Sequence, residues 1–201
     1  MQTKPVVYVV DDDAAVREAL ERLVRSAGLA VETFSSAGDF ISCPTTDREG
    51  CLILDVRMPG MNGIELQDTL NNLNRHIPIV FISGSSTIST SVKAMKGGAT
   101  DFLEKPFDEE TLFKAIEQAI EQDRQKRKSD AELAAIRMSE ASLTPREREV
   151  FLLVAAGMLN KQIAYELGAA EKTIKIHRGR IMQKMKAQSL ADLVRFTEKL
   201  K

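Results

Sequence analysis

Residues 51–66, CLILDVRMPGMNGIEL, set an apolar run against a carboxylate, Asp55, with Pro59, Gly60, Asn62 and Gly63 crowded behind it. The run reads as a buried strand and the residues behind it as a turn, since Gly and Asn tolerate positive φ. An ionised carboxylate is expensive to take out of water, so a buried strand that ends on one has a use for it. Working outward from Asp55, similar runs recur at VVYVV (6–10), AVETF (30–34), IPIVFIS (77–83) and TDFLEK (100–105). Between them lie helical segments: Val16, Ala19, Leu20, Leu23, Val24 and Ala27 share one helix face, and Gly28 suits its C-cap. Alternating strands and helices predict an α/β domain over 1–122, with five parallel strands covered on both faces by helices.

In a doubly wound sheet the ligand site lies beyond the carboxyl ends of the strands, where strand order reverses. Asp11 and Asp12 end the first strand and Asp55 ends the third. In a flavodoxin-like strand order those two strands are neighbours, so the acids converge. Clustered carboxylates repel unless something positive sits among them, such as a hard divalent cation with oxygen ligands, Mg²⁺ first among them. Lys105, ending the fifth strand, is placed to add an ammonium group, and Ser83, ending the fourth, offers a hydroxyl to the same rim. The plainer alternative is that Asp11, Asp12 and Asp13 only cap the first helix; three acids and a lysine at matched strand ends weigh against it.

These residues resemble the receiver domains of two-component response regulators, through VVDDD, LDVRMPGMNGIEL, FISG and DFLEKPF, over roughly residues 4–122. The resemblance implies that Asp55 is the phosphoacceptor and that Asp11, Asp12, Asp55 and the backbone carbonyl of Arg57 bind Mg²⁺. It also implies that Ser83 and Lys105 contact the phosphoryl oxygens and that Phe102 is the aromatic switch. SGSST (83–87) departs from the TGHGD-like stretch of many such domains. The Lys105–Pro106 bond, often cis in that family, is expected to be trans on sequence alone.

At 201 residues, 43% apolar and 28% charged, the chain is long enough for two soluble domains with cores of their own. Its start runs directly into VVYVVDDD, so no signal peptide is expected, and no apolar run predicts a membrane span. Cys43 and Cys51 lack metal-ligand or CxxC spacing, which points to a reducing, cytoplasmic setting. The net charge of −1 conceals a division: residues 1–120 carry 11 Lys and Arg against 18 Asp and Glu, residues 121–141 carry five of each, and residues 142–201 carry 12 against six. Only the basic last part, at +6, is suited to a polyanion.

Leu112, Ile116, Ala119 and Ile120 give a helix that packs on the sheet, and RQKRKSDAELAAIRMSEA behind it lacks Gly and Pro, so the helix is expected to run into a linker, 123–141. A second domain, 142–201, opens with LTPREREV, where Thr144 is an N-cap, Pro145 the first helical residue and Glu147 the capping-box partner. Asn160 is the next N-cap candidate, the third helix covers 171–187, and Ser189 with Asp192 starts the last. Four helices with a helix-turn-helix at the centre result. At about 100° per residue, Ile174, Ile181 and Met185 share the buried face of the third helix, while Lys172, Lys175, Ile176, Gly179, Arg180 and Gln183 face out. An exposed Ile on a basic face suits a thymine methyl in a major groove.

LTPREREV, NKQIAYELG and EKTIKIHRGRIMQKMKA resemble the LuxR-type helix-turn-helix, and both halves together resemble a response regulator of the FixJ/NarL type. The resemblance implies base reading by Lys175, Ile176 and Gly179 and phosphate contacts from Lys172, Thr173, His177, Arg178 and Arg180. Ala170 stands where relatives often carry a Ser N-cap. The implied function is phosphorylation of Asp55 by a sensor histidine kinase, then homodimerisation and binding of promoter DNA in the cytoplasm, with RNA polymerase a further partner, no membrane partner and no turnover enzyme activity. Two other classes compete with this reading. An aspartate-dependent phosphohydrolase wants a second acid two residues after its nucleophile, where Arg57 stands. A protein-binding adaptor does not call for the +6 charge of the last 60 residues.

Overall fold

The computed structural model describes residues 4–43, 48–84 and 87–200. These form two compact units, Met1–Lys126 and Arg127–Lys201. The first runs β1 (Val6–Val10), α1 (Ala14–Ser26), β2 (Ala30–Phe34), α2 (Ala37–Ser42), β3 (Gly50–Asp55), α3 (Gly63–Asn72), β4 (Ile79–Ser83), α4 (Ile88–Lys96) and β5 (Asp101–Glu104), followed by α5 (Glu109–Ala141), which continues into the second unit. Among the described residues the sheet has five strands, all parallel, in the order β2-β1-β3-β4-β5.

Alternation along the strands explains why both faces are covered. Tyr8, Val10, Leu52, Leu54 and Phe81 point to one face, with Phe40, Leu66, Leu70 and Ala94. Val7, Val9, Cys51, Ile53, Val80 and Ile82 point to the other, with Leu20, Val24, Leu112, Ile116 and Ala119. Each fully buried large side chain contributes roughly 1.5–3 kcal/mol. The fourth strand starts at Ile79 rather than residue 77, because Pro78 has no N–H for a ladder, although its carbonyl accepts from the Leu52 N–H at 2.9 Å. The Lys105–Pro106 bond is cis, against the expectation from sequence alone. Ser85 and Ser86 of SGSST lie outside the described residues.

The second unit holds α6 (Pro145–Ala155), α7 (Asn160–Glu166), α8 (Glu171–Lys184) and α9 (Leu190–Leu200). Its core is built from Val150, Phe151, Val154, Ile163, Ile174, Ile181, Met185 and Leu193. Ile136 of α5 joins that core and Glu132 pairs with Lys199 at 2.6 Å, so the division between units falls inside the expected linker 123–141. α6 starts on a full capping box, Thr144 with Glu147 and Pro145 at N1. α7 is capped one residue earlier than expected: Leu159 is the N-cap and its N–H donates to Gln162 Oε1 at 2.8 Å. Asn160 is the first residue inside the helix, and its carboxamide oxygen accepts from Arg178 of α8 at 2.8 Å. α8 stops at Lys184, three residues short of expectation, where Lys186 adopts a left-handed φ of 54°. Among the described residues no helix is long and apolar enough to cross a membrane.

Candidate functional site

The register sets the acids side by side. Val10 pairs with Leu54 and Asp55 with Ile82, so Asp11, immediately after β1, lies beside Asp55 at the end of β3. Ser83 ends β4 and is paired with Glu104, one residue before Lys105. The Lys105 ammonium donates to Asp11 Oδ2 and to Asp55 Oδ1, each at 2.9 Å. The remaining oxygens are also held: Asp11 Oδ1 accepts from the Asp13 N–H at 2.9 Å and Asp55 Oδ2 from the Arg57 N–H at 2.6 Å. Asp11 and Ser83 are buried at 1% exposure, and Asp55 at 7%.

Burial pushes the Asp11 carboxyl above the usual carboxylate range, against the opposing pull of Lys105 and the Asp13 N–H. Burial also pulls Lys105 down, but hydrogen bonds to Asp55 and Asp11 more than offset it and hold the ammonium above its ordinary value. Lys105 thus stays charged at neutral pH and sets a positive charge against the two carboxylates it contacts.

The turn behind Asp55 is built by close approach. α3 begins on a capping box in which Asn62 and Glu65 bond each other's backbone N–H groups. The Gly63 N–H donates to the Val56 carbonyl at 3.0 Å, and a Cβ at Gly63 would lie 2.3 Å from the Asp55 carbonyl oxygen, so only glycine lets α3 start there. The Asn-x-x-Glu pattern at 62–65 is a sequence signal for that helix start which the sequence analysis passed over. Arg17, which no local pattern marks, donates from its guanidinium to the Asp11 carbonyl at 2.7 Å and ties α1 to the acidic turn.

Of the other expected site residues, Asp12 is exposed beside Asp11, while the capping role holds for Asp13, the N-cap of α1, which accepts from the Ala15 and Val16 N–H groups. Phe102 is half-buried and its ring stacks on Phe81 at a centroid distance of 6.0 Å. The donors offered by Asp11, Asp12, Asp55 and the Arg57 carbonyl are all oxygens, which fits a hard cation such as Mg²⁺. Lys105 shares two of those carboxylates, and among the described residues no three His, Cys, Asp or Glu side chains are grouped as a metal cluster.

On α8, Ile174 and Ile181 are fully buried and Met185 is 2% exposed, whereas Lys172, Thr173, Lys175, Ile176, Gly179, Arg180 and Gln183 are exposed. Ile176 is half exposed on this polar face, at 50%. His177 and Arg178 are only partly exposed, and Arg178 is engaged with Asn160. Ala170, the N-cap of α8, makes no side-chain cap.

The response regulator receiver domain family matches residues 7–117, more than half of the chain, and the family of bacterial regulatory proteins of the luxR type matches residues 141–197. The chain belongs to the response regulators. This response regulator is 48% identical over 198 residues to Nodulation protein W of Bradyrhizobium diazoefficiens, covering 98% of this chain and 87% of that one. It is 44% identical over 195 residues to Transcriptional regulatory protein FixJ of the same organism, covering 97% and 95%. The solved structure of Response Regulator StyR superposes with a TM-score of 0.87 at 49% identity, covering 98% of this chain and 100% of that one. The protein is a transcriptional response regulator with a receiver fold and a LuxR-type helix-turn-helix. Members of this family are phosphorylated by histidine kinases and bind DNA, and their receiver domains bind Mg²⁺ at the phosphorylation site.

Proposed function

We propose that Asp55 is the phosphoacceptor and that its phosphorylation by a sensor histidine kinase promotes homodimerisation and binding to promoter DNA. The observation that carries this reading is the Lys105 ammonium held 2.9 Å from both strand-end carboxylates. An Asp55 oxygen attacks the phosphorus of a phosphohistidine, the P–N bond breaks, and the departing imidazole takes a proton from solvent, leaving an aspartyl phosphate. Lys105 neutralises charge on the transferring oxygens, and Ser83 offers its hydroxyl to the same group. Asp11, Asp12, Asp55 and the Arg57 carbonyl would hold Mg²⁺, which would supply further positive charge against the transferring oxygens. Phe102 is the switch residue, turning inward as Ser83 is drawn toward the phosphoryl group, and the surface of α4 and β5 is then biased toward self-association.

In the second unit Lys175, Ile176 and Gly179 read base edges, and Lys172, Thr173 and Arg180 contact phosphates. His177 and Arg178, to which the family resemblance also assigns phosphate contacts, are partly exposed on the same helix, and Arg178 is also engaged with Asn160. Two such helices in a dimer address half-sites about one DNA turn apart, α9 adds a second dimer contact, and RNA polymerase is the downstream partner. A regulator of this kind works where its promoter DNA is, in the cytoplasm. The test is labelling with a small phosphodonor and Mg²⁺. The native chain is expected to form an acid-stable, base-labile adduct and Asp55→Asn none; equal labelling of that variant overturns the assignment.

A further inference from the structure

α4 is seated on the rest of the receiver by few buried side chains. All of its residues are described, and Ala94 is the one that is buried; Ile88, Val92 and Met95 are 85%, 44% and 46% exposed. Besides Ala94 in the core and the packing against β5, a pair of amides from α3 holds it. Gln67, 2% exposed, donates from Nε2 to the Ala94 carbonyl at 3.0 Å, and Asn71 donates from Nδ2 to the Gly97 carbonyl at 3.1 Å. Lys93 and Asp68 add only a solvent-exposed pair at 3.8 Å.

The Gln67 contact is imperfect on one side. Its Oε1 is buried and no hydrogen-bond donor among the described residues reaches it. Flipping the amide does not help, because it would turn an oxygen toward the Ala94 carbonyl. The Ala94 carbonyl also accepts from the Ala99 N–H at 3.2 Å, so it keeps a partner without Gln67. The amide lies flat on Gly97: a Cβ there would stand 2.4 Å from Oε1 and 2.7 Å from the amide carbon. Gly97 has a right-handed φ of −72°, so the glutamine, not the backbone, excludes a larger residue. A buried acceptor without a donor raises the free energy of the state that buries it and is relieved when water reaches it.

We propose that Gln67 is a positioning residue that keeps α4 under tension, so that the seated helix costs more than an apolar seam would and is released more readily when Asp55 is phosphorylated. The chain of connection is material: α3 begins against the Asp55 carbonyl at Gly63 and, one turn later, carries Gln67 into the seam with α4. The proposal rests on the reading of Asp55 and of the α4–β5 surface given above. It differs from a merely structural role in sign. If Gln67 only glued α4 down, removing its amide would loosen the helix; if it holds the helix under tension, a volume-matched apolar residue tightens it.

The test uses the full chain and the variants Gln67→Met and Gly97→Ala, with acetyl phosphate and Mg²⁺ as phosphodonor. Without phosphodonor, amide hydrogen exchange over residues 88–96 is expected to slow at least three-fold in Gln67→Met. In Gly97→Ala, whose methyl drives the amide outward, it is expected to speed up. With phosphodonor, Gln67→Met is expected to label normally yet to show a gain in DNA affinity at least three-fold smaller than the native chain, while Gly97→Ala gains affinity before phosphorylation. Unchanged or faster exchange in Gln67→Met overturns the proposal, as does an undiminished affinity gain. If Gln67→Met does not fold, Gln67→Leu takes its place, because faster exchange in Gly97→Ala is expected whether Gln67 glues or strains the helix; unchanged or faster exchange in Gln67→Leu overturns the proposal. A native chain that labels but gains no affinity refutes the proposed switch instead, and the exchange measurements on unphosphorylated protein still decide what Gln67 does to α4.

Discussion

Asp11 and Asp55 lie side by side at the carboxyl ends of β1 and β3, and two buried carboxylates so placed repel unless a cation stands between them. Lys105 is that cation, and its removal leaves both acids uncompensated. Lys105→Met is therefore expected to lower receiver stability by about 3 kcal/mol at pH 7 without divalent cations, read from urea unfolding, and a variant as stable as the parent contradicts the pairing. In the second unit the charge arithmetic runs through Glu147. Its carboxyl is held down at about 2, first by the Lys184 ammonium at 2.6 Å and then by the Thr144 N–H. The folded value lies below the ordinary 4.5, so the stability it contributes is complete above about pH 5 and is lost as the pH falls toward 2. The whole contribution is at most about 3 kcal/mol. Glu147→Gln, which keeps a capping-box partner but no charge, is expected to flatten acid unfolding of the helical unit followed by circular dichroism.

At the scale of elements, α6 and α8 are opposites. α6 carries its start signal in four consecutive residues, Thr144 to Glu147, and both halves of the box form. α8 starts at Ala170, whose φ and ψ of −74° and 142° suit an N-cap but whose methyl cannot accept a hydrogen bond. Ala170→Ser is expected to stabilise the unit by about 0.5–1 kcal/mol, measured as a rise in its thermal midpoint. α8 is also fixed to α7 through Arg178 and Asn160. Arg178→Lys loses the planar, directed guanidinium and is expected to weaken DNA binding several-fold without changing its salt dependence. Lys172→Ala is expected to reduce the salt slope by about 0.9, as loss of one phosphate contact does. Equal slopes for native and Lys172→Ala would remove that residue from the contact set. These starts show where local reading works and where it stops: the boxes at 144–147 and 62–65 are complete within four residues, whereas the partner of the Asn160 oxygen lies 18 residues away on α8 and no local pattern shows it.

For the whole molecule, the division between an acidic front, −7 over residues 1–120, and a basic back, +6 over residues 142–201, separates phosphoryl chemistry from polyanion binding. If phosphorylation doubles the number of DNA-reading helices per complex, the slope of log affinity against log salt is expected to steepen by about 0.9 for each added phosphate contact, measured on the full chain with and without phosphodonor. An unchanged slope with unchanged sedimentation rules out the dimer. The sequence by itself determined the five strand runs, the acids at their ends, the helix starts with a local capping signature, the buried and exposed faces of α8 and the charge division. All of these depend on periodicity or on neighbours a few residues apart, and backbone sterics and burial act at that range. Only the tertiary structure decided that Arg17 bonds the Asp11 carbonyl, that the Gln67 amide lies on Gly97 and bonds the Ala94 carbonyl, that Arg178 takes Asn160, and that Ile136 of α5 joins the core of the helical unit. Those outcomes are settled by which distant side chains meet when elements pack, and the identity of a residue does not carry the identity of its partner.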